Sequence, residues 1–228
     1  MTGLRVMIHA CPGRMWYVDG FLVPSLRAQG IEPRVWNDTD GRGCLGSCMA
    51  AFAACEGDGD TWHIQDDVLL CRDFTRRAGG IPEGEVVYGF ACEYFTDDVG
   101  LTGRVYAPDA WHSFQCVRIP DAWARECAEW FGSRRWVSES DNLTLDALAA
   151  ANEGDDTFFR EYMLARHGES SVINLRPNLV EHVDLLLGGS VLHQWRDYRA
   201  ASAYWPDPDL TGQLRAELKA RRLGAWAP

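Results

Sequence analysis

The chain has 228 residues, 46% of them hydrophobic and 11% aromatic, with ten tryptophans. That is enough apolar surface for one large domain with its own core, and it excludes a disordered composition. A formal net charge of −11 argues against broad, nonspecific adhesion to nucleic acid or anionic lipid, although a local basic site stays open.

No apolar run reaches the roughly 18 residues that a membrane span needs. The start, Met1-Thr2-Gly3-Leu4-Arg5-Val6, goes straight into a strand pattern and lacks a signal-peptide layout. The expected location is therefore cytoplasmic, or the host cytoplasm if the chain is viral. Eight cysteines then read as reduced thiols packed in the core. Cys44, Cys48 and Cys55 stand near helical spacing, with no paired Cys-x-x-Cys to suggest zinc.

In chain order, Leu4 to Ala10 reads as a buried strand that Cys11-Pro12-Gly13-Arg14 cannot continue. Met15 to Gln29 carries apolar residues near helical period, with a break or a late helix start expected at Pro24 and a stop at Gly30. Pro33 to Trp36 is a second strand that runs into the acidic turn Asn37 to Gly41. Gly43 to Cys55 is small and apolar, which suits a helix packed closely on a sheet. Strand, loop, helix, strand and helix in this order point to a parallel α/β sheet. The first turns of a helix are expected over Cys71 to Ala78, and strands over Glu85 to Phe95 and Trp111 to Ile119. Helices follow at about 122–131, 143–151 and 157–167, then a strand at 171–175. The last helix is expected over 210–222.

The stretch Thr61-Trp62-His63-Ile64-Gln65-Asp66-Asp67-Val68-Leu69-Leu70 organises the rest. Read as a strand, its first half ends at two adjacent acids. The carboxyl end of a buried strand is where such sheets bind ligands. Adjacent buried acids repel, so they need a donor or a cation, and a divalent metal suits carboxylate oxygens.

Several pieces now line up: the Cys11 to Arg14 turn, Asp38 after the second strand, Gly43-Cys44-Leu45-Gly46-Ser47-Cys48 opening a helix, the Asp66-Asp67 strand followed by Asp73-Phe74, the acidic pair Asp155-Asp156, and Pro177-x-Leu179-Val180-x-His182 before a Gly-Gly-Ser. This order resembles a small bacterial or phage-type GT-A glycosyltransferase, over roughly residues 4–190. The resemblance implies a single Rossmann-like α/β domain over residues 1–195, with a mixed, mostly parallel central sheet flanked by helices. Residues 196–228 would be a peripheral tail. It implies transfer of a sugar from a nucleotide-sugar donor, most often UDP-linked, with Mn²⁺ or Mg²⁺ bridging the phosphates.

By position, Asp67 resembles the metal-binding last acid of the D-x-D motif, and His182 the late histidine that completes the coordination. Ala10, Cys11, Pro12, Arg14, Asp38, Gln65 and Asp66 match the regions that hold the nucleotide-sugar, and Arg14 is suited to pair with a phosphate. Asp155 or Asp156 matches the base for the acceptor hydroxyl. Gln65 departs from the pattern, which usually has an acid there, and so leaves the metal fewer carboxylates. The acceptor is open between a hydroxymethylated DNA base, if the chain is viral, a surface glycan and a protein hydroxyl, with Arg72, Arg76, Arg77, Arg134 and Arg135 as a candidate basic track for DNA. Two other readings compete. One is a nucleotidyltransferase, although the first loop has one glycine and no lysine. The other is a noncatalytic α/β binding protein.

Overall fold

The computed structural model describes residues 3–90, 103–104, 114–133, 154–167, 172–175, 177–183, 187 and 206–224. The strand residues expected at 91–95 and 111–113, the helix at 143–151, Arg134, Arg135 and the Gly-Gly-Ser at 188–190 lie outside them.

A seven-stranded sheet has the order β2-β1-β3-β7-β5-β8-β6. Its strands are β1 (Arg5–Ala10), β2 (Arg34–Asn37), β3 (Asp60–Gln65), β5 (Val87–Tyr88), β6 (Gly103–Arg104), β7 (Cys116–Pro120) and β8 (Ile173–Asn174). β1 is parallel to β2 and β3, β7 runs against β3 and β5, and β8 is parallel to β5 but antiparallel to β6. Five of the seven strands thus point one way, giving a mixed, mostly parallel α/β sheet. β4 (Val68–Leu70) and β9 (Val180–His182) form a separate antiparallel pair.

Side chains alternate across the strands, so each face of the sheet receives its own apolar set. Val6, Ile8, Trp62 and Ile64 join one core, and Met7, Val117 and Ile119 the other. The second face is covered by α3 (Gly43–Ala53), α5 (Asp121–Ser133) and α6 (Asp155–His167). Phe52, Phe158, Phe159 and Tyr162 fill the space there. On the first face lies a composite helical run: a 3-10 turn Pro12–Arg14, α1 (Met15–Tyr17), a π-helical segment Val18–Leu22, and α2 (Val23–Ala28). Pro24 does not break this run. The wider π turn comes just before it, so the N–H that proline lacks falls in the first turn of α2.

After the short helix α4 (Phe74–Gly79), the remaining element is α7 (Pro208–Gly224). Its Leu214 is buried in the first core, with Leu210 and Leu218 packed against that core. The Arg221 guanidinium lies 3.9 Å from the Trp16 ring centroid, and Cys71 bridges to Pro206. Residues 206–224 therefore share the core of the sheet. No helix among the described residues is long and apolar enough to cross a membrane.

One close approach yields a test. A Cβ on Gly89 would stand 2.8 Å from Cys116 Sγ, 3.1 Å from Trp62 Cζ3 and 3.2 Å from Leu179 Cδ1. All three neighbours are buried, so Gly89→Ala is expected to cost about 1–3 kcal/mol by overpacking. Chemical denaturation measures this, and an unchanged midpoint would show that the contact yields freely.

Candidate functional site

Because β1, β2 and β3 are parallel and in register, Ala10, Asn37 and Gln65 end at one edge of the sheet. The chain leaves that edge three times, through Cys11 to Arg14, Asp38 to Arg42, and Asp66-Asp67. Pro12 and Gly13 cannot extend β1, and the tight turn that replaces it points Arg14 back across the edge. Asp66-Asp67 is a turn between β3 and β4, so the expected single strand is split at the acids and its halves enter different sheets.

The acids are buried, at 6% and 8% exposure, and so is Arg14 at 6%. Arg14 Nη1 lies 3.0 Å from Asp66 Oδ1 and 2.5 Å from Asp67 Oδ2. The Cys11 backbone N–H donates to Asp66 Oδ2 at 2.7 Å. β9 brings the late histidine in: Val68 is registered opposite His182, and Val183 N–H donates to Asp67 O at 2.8 Å. His182 Nε2 then stands 3.2 Å from Asp67 Oδ2. The buried Tyr17 hydroxyl donates to Val68 O at 2.8 Å and anchors the start of β4.

The electrostatics follow from these contacts. Burial alone would raise the Asp67 pKa, but the His182 hydrogen bond and charge, with Arg14, hold it at about 2. Asp66 moves the other way, raised by burial and by the Asp67 charge despite Arg14. Burial opposes the Arg14 charge, and Asp67 and Asp66 overrule it, so its pKa rises further. The Tyr17 phenol is pushed up by burial and then by both acids. The Arg14 guanidinium faces both carboxylates, and His182 faces Asp67 from the other side. Of the four carboxylate oxygens, only Asp67 Oδ1 is buried without a hydrogen-bond partner among the described residues.

That orphaned oxygen is the observation against which a divalent ion can be tested. Among the described residues, no three His, Cys, Asp or Glu side chains gather into a cage. Mg²⁺-type sites, however, use one or two carboxylates and complete their shell with water and substrate phosphates. Asp67 Oδ1 fits the carboxylate part of that sparse donor set, with the His182 imidazole alongside on Asp67 Oδ2.

Asp155 and Asp156 open α6 at the same edge. Gln65 Nε2 donates to Asp155 Oδ2 at 3.2 Å, which ties α6 to the end of β3. Asp156 N–H donates to Asp155 Oδ1 at 2.9 Å, and Thr157 N–H donates to Asp156 Oδ1 at 2.7 Å. The pair caps the helix, where acids also complement its dipole. Asp155 is buried and its pKa is raised by burial, against hydrogen bonds from Cys44, the Asp156 amide and Gln65. Asp156 is only half-buried. Asp38 accepts N–H bonds from Arg42 at 3.0 Å and Gly43 at 3.1 Å, so its carboxylate caps α3, while its own N–H donates to Ala10 O at 2.9 Å.

The structure thus brings Cys11, Arg14, Asp66, Asp67 and His182 into direct contact, joins Gln65 to Asp155, and hangs Asp38 on Ala10. Arg14, expected to face a phosphate, is turned onto the acid pair. The reason is charge: two buried carboxylates demand the nearest cation. Tyr17, which beside the first loop reads as a core residue or a stacking platform, is buried, and its hydroxyl serves β4. The sequence reading missed β9, which the Leu179-Val180-x-His182 pattern could have suggested.

No protein-family model matches the chain, and no curated protein matches it. Among solved structures, the chain is similar to the inositol-1-phosphate CTP transferase from T. maritima. The identity is 11% and the TM-score 0.39, over 94% of this chain and 77% of that one.

Proposed function

We propose that the protein is a nucleotide-dependent transferase that binds a nucleotide-diphosphate sugar at the Asp66-Asp67 edge and passes the sugar to a hydroxyl acceptor. The observation that carries this reading is the buried acid pair at the carboxyl end of β3, with one carboxylate oxygen unpartnered and a histidine from far along the chain beside it. The resemblance of the sequence to GT-A glycosyltransferases implies a donor site at the same residues. Asp67 and His182 would hold Mn²⁺ or Mg²⁺, which when bound offsets the charge that develops on a departing diphosphate.

This chain's own residues have separate tasks. Arg14 and the Cys11 N–H fix Asp66, and through Arg14 the orientation of Asp67. The Cys11 to Gly13 turn and the segment after Asp38 border the edge where the nucleotide lies. Gln65 holds Asp155 at the start of α6. Asp155 is buried whereas Asp156 is only half-buried, so Asp156 is the more accessible base for an acceptor hydroxyl. Asp156→Asn is expected to lower kcat about 10²-fold or more, and Asp155→Asn to act mainly through helix stability. Equal losses in kcat at unchanged Tm would reverse that assignment.

The deciding experiment incubates the protein with UDP-, GDP- and dTDP-sugars, with and without Mn²⁺, against hydroxymethylated DNA and simple glycans. NMR of the product's anomeric proton follows the transfer. A new glycosidic signal supports the proposal. Pyrophosphate release from a nucleoside triphosphate and a sugar phosphate would replace it with nucleotidyl transfer. A thermal shift with a nucleotide but no turnover with any donor would reduce it to a binding protein.

A further inference from the structure

We infer that Arg14 is a resident counter-ion that keeps the acid pair a weak divalent-cation site until a diphosphate arrives. The inference rests on Asp67 as the cation-facing acid and adds a role for a residue that touches neither substrate nor metal. Asp66 has both oxygens engaged, one by Arg14 Nη1 at 3.0 Å and one by the Cys11 N–H at 2.7 Å. Asp67 Oδ2 is shared between Arg14 at 2.5 Å and His182 at 3.2 Å. Only Asp67 Oδ1 is left, in a site where the guanidinium already cancels half of the carboxylate charge. A single carboxylate oxygen beside a buried cation is a poor ligand set for Mn²⁺ or Mg²⁺, and oxygens from a bound diphosphate would complete it. Arg14 is therefore a positioning residue: it presents one oxygen and withholds the others.

The consequence is unusual for a residue in a binding site: its removal should strengthen metal binding. Arg14→Gln frees Asp66 Oδ1, relieves Asp67 Oδ2, and removes the positive charge that opposes an incoming cation. Arg14→Lys keeps the charge and should behave like the wild type.

The experiment measures Mn²⁺ binding to the full chain with no nucleotide or sugar present, by the electron paramagnetic resonance signal of free Mn²⁺, with Tm in EDTA and in Mn²⁺ alongside. The expected result is Mn²⁺ affinity about tenfold or more higher in Arg14→Gln than in the wild type or Arg14→Lys. Tm of Arg14→Gln should fall in EDTA and recover in Mn²⁺ by several degrees, a response the wild type lacks. Adding Asp67→Asn to Arg14→Gln should erase the gain. Wild-type affinity equal to that of Arg14→Gln, or an Arg14→Gln chain that stays unfolded with Mn²⁺ present, would overturn the inference. No donor is used, so a protein that fails every transfer assay can still show this response. One that transfers sugar without showing it loses only the role of Arg14.

Discussion

Replacing Asp67 with asparagine is expected to abolish transfer while the chain stays folded. The two effects separate because of how the charges are arranged. With Asp67 neutral, Arg14 and Asp66 remain as a one-to-one ion pair bridged at 3.0 Å, and His182 can shed its proton, so no buried charge need be left alone. The Asp67 carboxyl, held at about 2, contributes stability that is fully present above its unfolded value near 3.9 and is lost as pH falls through about 2. Losing that contribution costs about 2–3 kcal/mol at neutral pH, and relief of the raised Asp66 offsets part of it. Activity has no such offset. The amide can turn its oxygen to Arg14 or outward to the cation, but not supply a charge at either place. A fall in kcat/KM of about 10³-fold or more is expected, equivalent to roughly 4 kcal/mol of transition-state stabilisation. Turnover within tenfold of wild type, at a Tm within a few degrees, would remove Asp67 from the chemistry.

Acid should begin to destabilise the protein near the ordinary histidine pKa of about 6.5. His9 Nε2 and His63 Nδ1 share a hydrogen bond at 2.8 Å, and both rings pack edge-on against Phe52. His63 Nε2 also faces Cys55 Sγ at 3.8 Å. Burial lowers His9 to about 4 and takes His63 well below its ordinary value, where the neighbouring His9 charge adds to the effect. For a base with a lowered folded pKa, stability is fully present above the unfolded value near 6.5 and is lost as pH falls toward about 4. His9 alone accounts for about 3 kcal/mol of that loss, and His63 adds in the same direction. Asp66, Asp121 and Asp155, all raised by burial, work the other way: they cost stability at neutral pH and return it at lower pH. The histidine loss comes first on acidification because its window starts near 6.5. Urea unfolding at half-unit steps from pH 7.5 to 4 tests this. The midpoint should fall steadily below pH 6.5, and a flat profile down to pH 5 would show that the pair is hydrated or already charged.

Short apolar runs bounded by turn residues made β1 and β3 legible in the sequence, and the glycines and Pro33 marked the ends of the first two helical regions. The site was legible where chemistry is local. Asp66-Asp67 stands out because apolar residues flank it, and His182 because Leu179 and Val180 precede it. What pairs with what was not legible. Arg14 meets the acids across more than fifty positions, through a turn whose direction depends on sheet register and not on local propensity. The expected halt at Pro24 shows the same limit, because a π segment absorbs a residue that alone reads as a helix break. His9 and His63 each look like rim or core histidines, and only the register Met7↔His63 and His9↔Gln65 puts their rings in contact.

The antiparallel placement of β7 beside β3 also bears on synthesis at the ribosome. β1, β2 and β3 can pair as soon as Gln65 has emerged, but the other flank of β3 waits for Cys116 to Pro120. That delay is roughly 50 residues, or ~3–10 s of elongation. Through it, a nascent Asp60–Gln65 strand keeps an unpaired, apolar side open to other chains. Slower growth temperature or chaperone supply during expression should therefore raise yield more than any change to the finished surface.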